Sequence, residues 1–227
     1  MNKIRFGAFL IASMGSWNLR ADTPETPVGI LLSAGDAKLM RAGAAAAADA
    51  KTTDLLFAGD SIRTGSAPAT YLFCAGKTRQ TLGPKGEARF ESAQVRIKTG
   101  KITAQQPAGS CLLPPVLRVS VASQQSFGSL RTRDLDQDAP PVPHDKLPAA
   151  VLGDLAPFEK AVAASGNDPS PLVGMAAVFE KANLPANAYE AYSKIQMKWP
   201  DVVWVKAKMA ELDQILTAKA KAAKTQK

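Results

Sequence analysis

The sequence predicts an α+β protein, in which an N-terminal all-β domain, a sandwich or irregular barrel, precedes a small C-terminal bundle of helices. Between residues 54 and 73, short apolar runs alternate with turn signals, which is typical of strands joined by tight turns. Residues 95–98 and 117–122 alternate apolar with polar side chains, the period of half-buried strands. After residue 148 the apolar period lengthens to about 3.6 residues, which predicts helices.

The clearest part of the β region is a series of short strands and turns. An apolar run at 55–57 precedes the turn dipeptide Gly59-Asp60, and Gly65 introduces the next reversal before a strand over 70–74. These short segments leave almost no room for a helix, so they predict a compact β domain.

The whole β region, residues 29–124, has turn signals at intervals that predict about seven to nine strands. Residues 40–51 interrupt this pattern with an alanine run, which favours a helix by propensity. Because Gly43 and the flanking strand signals confine this run, we interpret it as a loop or a short helix inserted between strands.

Helices and a linker complete the chain. Apolar residues fall on one helical face in four segments, 147–164, 171–183, 186–198 and 202–224. Charge and proline dominate residues 131–148, which predicts an extended linker. The predicted divisions are a signal peptide at 1–21, a β domain at 27–124, a linker at 125–148, and a helical domain with a basic tail at 149–227.

The N-terminus has the pattern of a secretory signal peptide. Lys3 and Arg5 precede an apolar run at 6–14, and residues 19–21 provide a small-residue cleavage site. The run is shorter than the roughly 20 apolar residues that cross a bilayer. The alternative is a buried N-terminal helix. We expect a periplasmic or secreted protein with no transmembrane segment after signal removal, and without a cysteine near residue 20 we expect no lipid anchor.

A set of glycines, aspartates and apolar residues follows a fixed order in the β region. Its members are Gly29, Gly35, Asp36, Arg41, Leu56, Gly59, Asp60, Ile62, Thr64, Gly65, Ala69, Leu72, Phe73, Leu82, Gly83 and Pro84. In this order, over about residues 27–105, they resemble the FecR-type domain of the ferric-citrate signalling regulator. The resemblance implies that Gly59, Asp60, Thr64 and Gly65 form a structural turn signature.

The FecR resemblance also implies a relation to envelope signalling, because FecR regulators pass the state of an outer-membrane receptor to a cytoplasmic sigma factor. We expect the chain to have neither the cytoplasmic N-terminal region nor the membrane helix of these regulators, and therefore to supply a recognition module and not the relay. It also has Cys74-Ala75-Gly76 where the family has a polar residue and a glycine in a turn.

Part of the helical region resembles a tetratricopeptide-like helix pair. The matching positions are Leu172, Ala176 and Phe179 on the first helix, Ala188 and Tyr192 on the second, and Pro200 at the terminal proline. Trp204 and Ala210 match the start of a further copy. A plain helical hairpin is the alternative, and in either case the helices must stack to bury their faces.

The chain has two cysteines, Cys74 and Cys111. An even count and an exported chain favour a disulfide between them, since an oxidising compartment preserves such bonds. Two independent buried thiols are the alternative. The spacing does not match the C-x-x-C motif of redox enzymes.

The formal charge of +8 overstates the basic character of the mature chain. Without the three basic residues of the signal peptide, 25 basic and 20 acidic residues remain, a net charge of +5. Four of the lysines lie in the C-terminal tail, at Lys219, Lys221, Lys224 and Lys227. This tail either contacts anionic lipid or polysaccharide or is a solvated helix end. Aromatic residues do not alternate with these lysines, so we expect no nucleic-acid partner.

The sequence lacks the usual signatures of catalysis. His144, its sole histidine, lies in the predicted linker, and no glycine-rich phosphate-binding motif is present. Asp134, Asp136 and Asp138 approach a calcium loop but lack its glycine and distal glutamate. Asp60 fits a turn better than a catalytic carboxylate. We therefore predict no enzyme activity, no cofactor and no metal.

Two binding functions remain. The leading one is an exported scaffold or sensory module that binds an unidentified envelope protein. Its candidate surface consists of Tyr189, Tyr192, Trp199 and Trp204, which are equally compatible with core packing. The alternative is binding of cell-wall polysaccharide or peptidoglycan by the β domain. Its candidate residues are Arg63, Lys77, Arg79, Arg96 and Lys98.

Overall fold

The computed structural model of the chain describes residues 24–116, 140–164, 166, 168–200 and 202–225. Within them, ten strands precede four helices, so the predicted α+β class is confirmed. The strands are β1 Gly29–Ser33, β2 Lys38–Met40, β3 Ala48–Asp49, β4 Leu55–Leu56, β5 Ser61–Arg63, β6 Ala69–Phe73, β7 Thr78–Leu82, β8 Glu87–Phe90, β9 Val95–Thr99 and β10 Ile102–Pro107. The helices are α1 Ala149–Ala164, α2 Ser170–Lys181, α3 Pro185–Lys198 and α4 Val203–Thr225.

The strands form two antiparallel sheets of five strands each. The first sheet has the order β10-β7-β6-β1-β4, and the second has the order β3-β2-β5-β8-β9. The chain crosses between the sheets several times, and the sheets enclose a core between them. Tyr71 and Phe90 meet there edge to face, with their ring centroids 5.0 Å apart. The predicted sandwich is therefore present.

The second face of the first sheet is also buried. Ile30, Leu55 and Leu72 are register partners on β1, β4 and β6, and all three are at most 4% exposed. They belong to one continuous cluster of buried side chains that includes residues from all four helices, such as Leu155 and Ile195. The fold thus has three layers: the second sheet, the first sheet and the helices.

Polar contacts join the helices to the strand region as well. The Trp204 indole on α4 donates a hydrogen bond to the Thr53 carbonyl at 2.9 Å. Thr53 is buried and has φ of +79°, a conformation that β-branched residues rarely adopt. Arg79 on β7 pairs with Asp168, which also accepts the Ser170 N–H at the start of α2 at 2.8 Å. The strand and helical regions therefore share an interface and not merely a linker.

The helices pack in sequence, α1 on α2, α2 on α3 and α3 on α4. α1 and α2 approach closely at Gly174, where a Cβ would lie 2.2 Å from Cε1 of Phe158. Prolines near the starts of α2 and α3, Pro171 and Pro185, suit positions whose N–H groups have no partner within the helix. A hairpin stack is the result, as the 3.6-residue period predicts.

Several sequence predictions change in detail. Met40 ends β2, and residues 41–51 form turns and the two-residue strand β3, so of the two predicted alternatives the loop is present and the short helix is not. β3 and β4 raise the number of strands above the predicted seven to nine. Residues 140–148, the last part of the predicted linker, pack on the helices, with Leu147 only 6% exposed. The signal peptide at 1–21, the strand at 117–122 and the three linker aspartates lie outside the described residues.

Candidate functional site

The Gly59-Asp60 turn is held by a buried carboxylate. Asp60 is fully buried, and its Oδ2 accepts hydrogen bonds from the Phe57 N–H at 3.0 Å and from Arg41 Nη1 at 2.9 Å. Its Oδ1 accepts the Ala42 N–H at 3.0 Å. Gly59 has φ of +91°, and a Cβ there would lie 2.9 Å from that of Ala42. Because both oxygens of Asp60 are engaged, the residue maintains the turn.

Arg41 connects this turn to the strand before it. Its Nη1 also donates to the Leu55 carbonyl at 2.5 Å, and the guanidinium lies 5.9 Å from the centroid of the Phe57 ring. Asp54 Oδ1 is 3.9 Å from Nη2 of the same arginine. Burial raises the pKa of Asp54. Arg41, Asp54 and Asp60 therefore form a partly buried network of ion pairs around the turn.

Thr64 and Gly65 organise the next turn. The buried Thr64 hydroxyl donates to the Gly83 carbonyl at 2.7 Å and accepts the Gly86 N–H at 2.8 Å. Gly65 passes so close to Asp36 that a Cβ there would lie 2.5 Å from Oδ2 of the aspartate. Only a residue without a side chain fits this approach.

Asp36 is a second aspartate that binds a turn. It accepts hydrogen bonds from the N–H groups of Gly65 at 3.1 Å, Ser66 at 2.7 Å and Ala67 at 3.1 Å. The Ser66 hydroxyl donates a further bond at 2.7 Å, and together these bonds lower the pKa of Asp36 to about 2. Asp36, Gly59, Asp60, Thr64 and Gly65 therefore have structural roles in the turns at the ends of the strands.

Cys74 and Cys111 are joined in a disulfide, with their Cα atoms 5.2 Å apart. The bond fixes the segment after β10 beside the end of β6. Leu113 and Val116 in this segment enter the core that the first sheet shares with the helices. Val116 also forms an antiparallel bridge with Glu25. The disulfide is compatible with an oxidising compartment.

The four candidate aromatic residues do not form one surface. Tyr189 and Tyr192 are 2% and 0% exposed, so both belong to the core. Trp204 is half-buried and stacks edge to face on Tyr192 at 5.9 Å. Trp199 is half-buried, with the Lys198 ammonium 4.9 Å from the centroid of its ring. The aromatic residues of these helices therefore contribute mainly to packing and not to a binding surface.

A buried polar network links three helices beside these aromatic residues. Lys208 on α4 is 5% exposed, and its Nζ lies 2.7 Å from Glu180 Oε2 and 3.1 Å from Glu211 Oε2. The Tyr192 hydroxyl donates to Oε1 of Glu180. Burial and the negative charge of Glu180 raise the pKa of Tyr192 well above its ordinary value. One ammonium thus pairs with two carboxylates, and Glu180 also binds Tyr192, so the network connects α2, α3 and α4.

The basic residues predicted to bind glycan separate into two groups. Arg63, Arg96 and Lys98 lie on the outer face of the second sheet, where Glu87 binds Arg63 at 2.7 Å and Lys98 at 3.1 Å. These bonds lower the pKa of Glu87. Lys77 lies in the turn between β6 and β7, and Arg79 faces the helices. Only three of the five predicted residues therefore share a face.

Lys38 and Arg89 extend this basic face. Lys38 is the register partner of Arg63, and Arg89 is the register partner of Arg96. A shallow depression of about 310 Å³ lies on the face and includes the exposed side chain of Met40. Lys38 and Arg89 were not among the candidates predicted from the sequence. Both occupy polar positions in short strands that alternate apolar and polar residues, a pattern that predicts exposure on the same face of a sheet.

A groove with a volume of about 440 Å³ lies on the helical side. Leu172, Met175 and Phe179 on α2 form its apolar wall, and Ala191 on α3 continues it. Residues 141–144 and 147 form the opposite wall. Leu172, Met175 and Phe179 are separated by three and four residues, so they share one face of α2. The groove residues of α3 have the same spacing and share one face of that helix.

Charged side chains border the groove. Glu190 pairs with Lys194 at 2.8 Å on α3, and His144 Nε2 lies 3.0 Å from Oε1 of Glu159 on α1. His144 stands at the start of a short 3-10 helix, His144–Lys146, and is largely exposed. The sole histidine therefore marks the rim of a groove, a position that the linker prediction did not assign to it.

Asn187 is the central polar residue of this groove. Its Oδ1 accepts the Val142 N–H at 2.9 Å, and its Nδ2 donates to the Val142 carbonyl at 2.8 Å. Asn187 is 7% exposed, so this paired contact is shielded from water. One amide side chain thus satisfies both polar groups of one backbone residue. The sequence reasoning missed Asn187, because the two partners are 45 residues apart.

Other site classes have no counterpart in the described ranges. Residues 24–116, 140–164, 166, 168–200 and 202–225 contain no cluster of three or more histidine, cysteine, aspartate or glutamate side chains suited to a metal ion. No helix in the same ranges is long and apolar enough to span a membrane. Comparisons with protein-family models, curated proteins and solved structures give no significant match to this chain.

Proposed function

We propose that the protein is an exported, non-enzymatic interaction module that binds an extended segment of another envelope protein. The observation that carries the proposal is the groove between residues 141–147 and the α2–α3 pair, where Asn187 binds the backbone of the chain's own Val142. An apolar wall with one polar group that recognises backbone is the arrangement used to bind extended peptides.

The location in the bacterial envelope, periplasmic or secreted, rests on other observations. The N-terminal sequence has the pattern of a signal peptide, and the disulfide is suited to an oxidising compartment. The resemblance to the FecR-type domain supports a recognition role in envelope signalling. The tetratricopeptide-like spacing of α2 and α3 supports a peptide-binding helical surface.

A second candidate is binding of cell-wall polysaccharide or peptidoglycan by the second sheet. The observation that favours it is the common face of Lys38, Arg63, Arg89, Arg96 and Lys98. Asp49 pairs with Lys38, and Glu91 pairs with Arg96. Glu87 pairs with both Arg63 and Lys98. This internal pairing reduces the positive charge that remains for an anionic glycan, so we place this function second.

Site-specific photo-crosslinking in the native envelope tests the two candidates together. One variant carries the crosslinker at Lys194 on the groove rim, and a matched variant carries it at Arg89 on the sheet. We expect one defined polypeptide at position 194, and we expect Asn187→Ala to abolish that product. Glycan adducts at position 89 alone would support the second candidate. A product at 194 that is insensitive to Asn187→Ala would contradict the proposed site.

A further inference from the structure

One wall of the groove is a segment of the chain itself. Residues 140–143 read Pro-Pro-Val-Pro, and Pro143 has φ of −57° and ψ of 145°, the geometry of a polyproline II helix. Proline also restricts the preceding residue to extended geometry, which applies to Val142. The segment therefore crosses the helices in the conformation of an extended ligand.

The main polar contact of residues 140–143 involves the backbone of the segment and not its side chains. Asn187 binds the N–H and carbonyl of Val142, groups that any non-proline residue of an extended peptide presents. The Val142 side chain is half-buried, and Pro140 and Pro143 are exposed. A segment of another protein with the same backbone geometry can form the same pair of hydrogen bonds.

The resident segment leaves space in the groove. About 440 Å³ remains between residues 141–147 and the apolar wall of Leu172, Met175 and Phe179. A tightly packed internal segment fills such space with side chains, because protein interiors have close to crystalline packing density. Here Asn187 binds the backbone of Val142, while Leu172 and Met175 of the apolar wall remain partly exposed.

We propose that residues 140–143 are an internal competitor, and that the groove binds an extended, proline-flanked segment of a partner protein by replacing them on Asn187. This inference rests on the proposed function and adds the chemistry of the ligand. A covalent tether gives the resident segment a high effective concentration, so it lowers the apparent affinity of an external peptide. Loosening the resident segment is therefore expected to raise that affinity.

The test uses the mature chain and a fluorescently labelled synthetic peptide with the sequence PPVPHDKL, residues 140–147. A loosened variant combines Pro141→Gly, Val142→Gly and Pro143→Gly. We expect it to bind the peptide at least about tenfold more tightly than the unchanged chain, by fluorescence anisotropy. Adding Asn187→Ala should lower that affinity by at least about tenfold. Gln106→Ala, an exposed amide on β10, is the matched control and should change nothing.

Equal affinity in the loosened and unchanged chains would overturn the inference, and so would binding that survives Asn187→Ala. Circular dichroism must show that each variant retains its helices. If Asn187→Ala unfolds the chain, Asn187→Asp replaces it, since this change keeps the size but loses the donor to the Val142 carbonyl. Peptide binding without any crosslinked partner in the envelope would reject the proposed function alone, whereas a partner crosslinked at Lys194 without peptide competition would reject this inference alone.

Discussion

The two sheets of the β region are stabilised in different ways. The first sheet has apolar side chains on both faces, with Leu31 against the second sheet and Ile30 against the helices. The second sheet has one apolar face, with Leu39 and Ile62 inside, and one charged face in water. Hydrogen bonds of Asp60 and Asp36 in the turns at the ends of its strands give the second sheet additional stability. Burial on two faces thus holds the first sheet, while burial on one face and the turn aspartates, the buried Asp60 and the exposed Asp36, hold the second.

The largest effect should come from removing a buried carboxylate beside the second sheet. We expect Asp60→Ala to lower the free energy of unfolding by about 3–5 kcal/mol, because Arg41 and two backbone N–H groups lose a buried partner. Urea unfolding measures the change. Asp49→Ala, which removes an exposed partner of Lys38, is the control and should leave the midpoint unchanged. An equal loss of unfolding free energy in the two variants would mean that the Gly59-Asp60 turn does not stabilise the second sheet.

An apolar truncation tests the first sheet. Leu72→Ala removes a 4% exposed side chain on the helix-facing side, and we expect a loss of about 3 kcal/mol. Met40→Ala on the outer face of the second sheet is the matched control, with an expected change within about 0.5 kcal/mol.

The same truncation also tests the shared core. The far-ultraviolet signal of the helices and the fluorescence of Trp199 and Trp204 should shift with the strand transition, because Leu72 belongs to the cluster that joins the layers. Two separated transitions would contradict a common core of the first sheet and the helices.

A smaller effect is expected from the polar contact between the regions. Asp168→Ala removes the partner of Arg79 and the acceptor of the Ser170 N–H, and we expect a loss of about 1 kcal/mol by urea unfolding. Asp154→Ala, which removes an exposed partner of Lys181, should change the stability by less than about 0.5 kcal/mol. A larger loss from Asp154→Ala than from Asp168→Ala would contradict this ranking.

The smallest effect depends on pH. The hydrogen bonds of Ser66, Gly65 and Ala67 lower the pKa of Asp36 from 3.8 to about 2 in the folded chain. Their contribution is therefore complete above pH 3.8 and is lost as the pH falls towards 2. Asp36→Asn should flatten the stability profile within this window, measured by urea unfolding at several pH values. An unchanged slope would show that Asp36 does not titrate with folding.

Local signals in the sequence predict much of this architecture. Gly59-Asp60 predicts its turn because turn chemistry involves neighbouring residues, and the cysteine pair predicts a bond that exists. The runs at 30–32 and 55–57 are apolar without alternation, which is typical of strands buried on both faces. We did not use that pattern to predict a third layer, because the proline-rich segment favoured the interpretation of two separate domains.

Contacts between distant residues could not be predicted in the same way. Tyr189 and Tyr192 have the spacing of an exposed binding stripe and equally of a core, and only the tertiary packing of the helices decides between the two. The contact of Asn187 with Val142 has no local signature, because it depends on where a proline segment crosses α3. Motifs that fix turns were therefore easier to predict than the groove.

The most direct measurement follows the Val142 amide by nuclear magnetic resonance in the ¹⁵N-labelled chain, with and without excess unlabelled PPVPHDKL peptide. In the free chain, the bond to Asn187 should protect this amide from hydrogen exchange. The account predicts that peptide binding releases the resident segment and abolishes the protection, while the Leu72 amide in β6 remains protected. A Val142 amide that stays protected when the peptide is bound would contradict replacement in the groove.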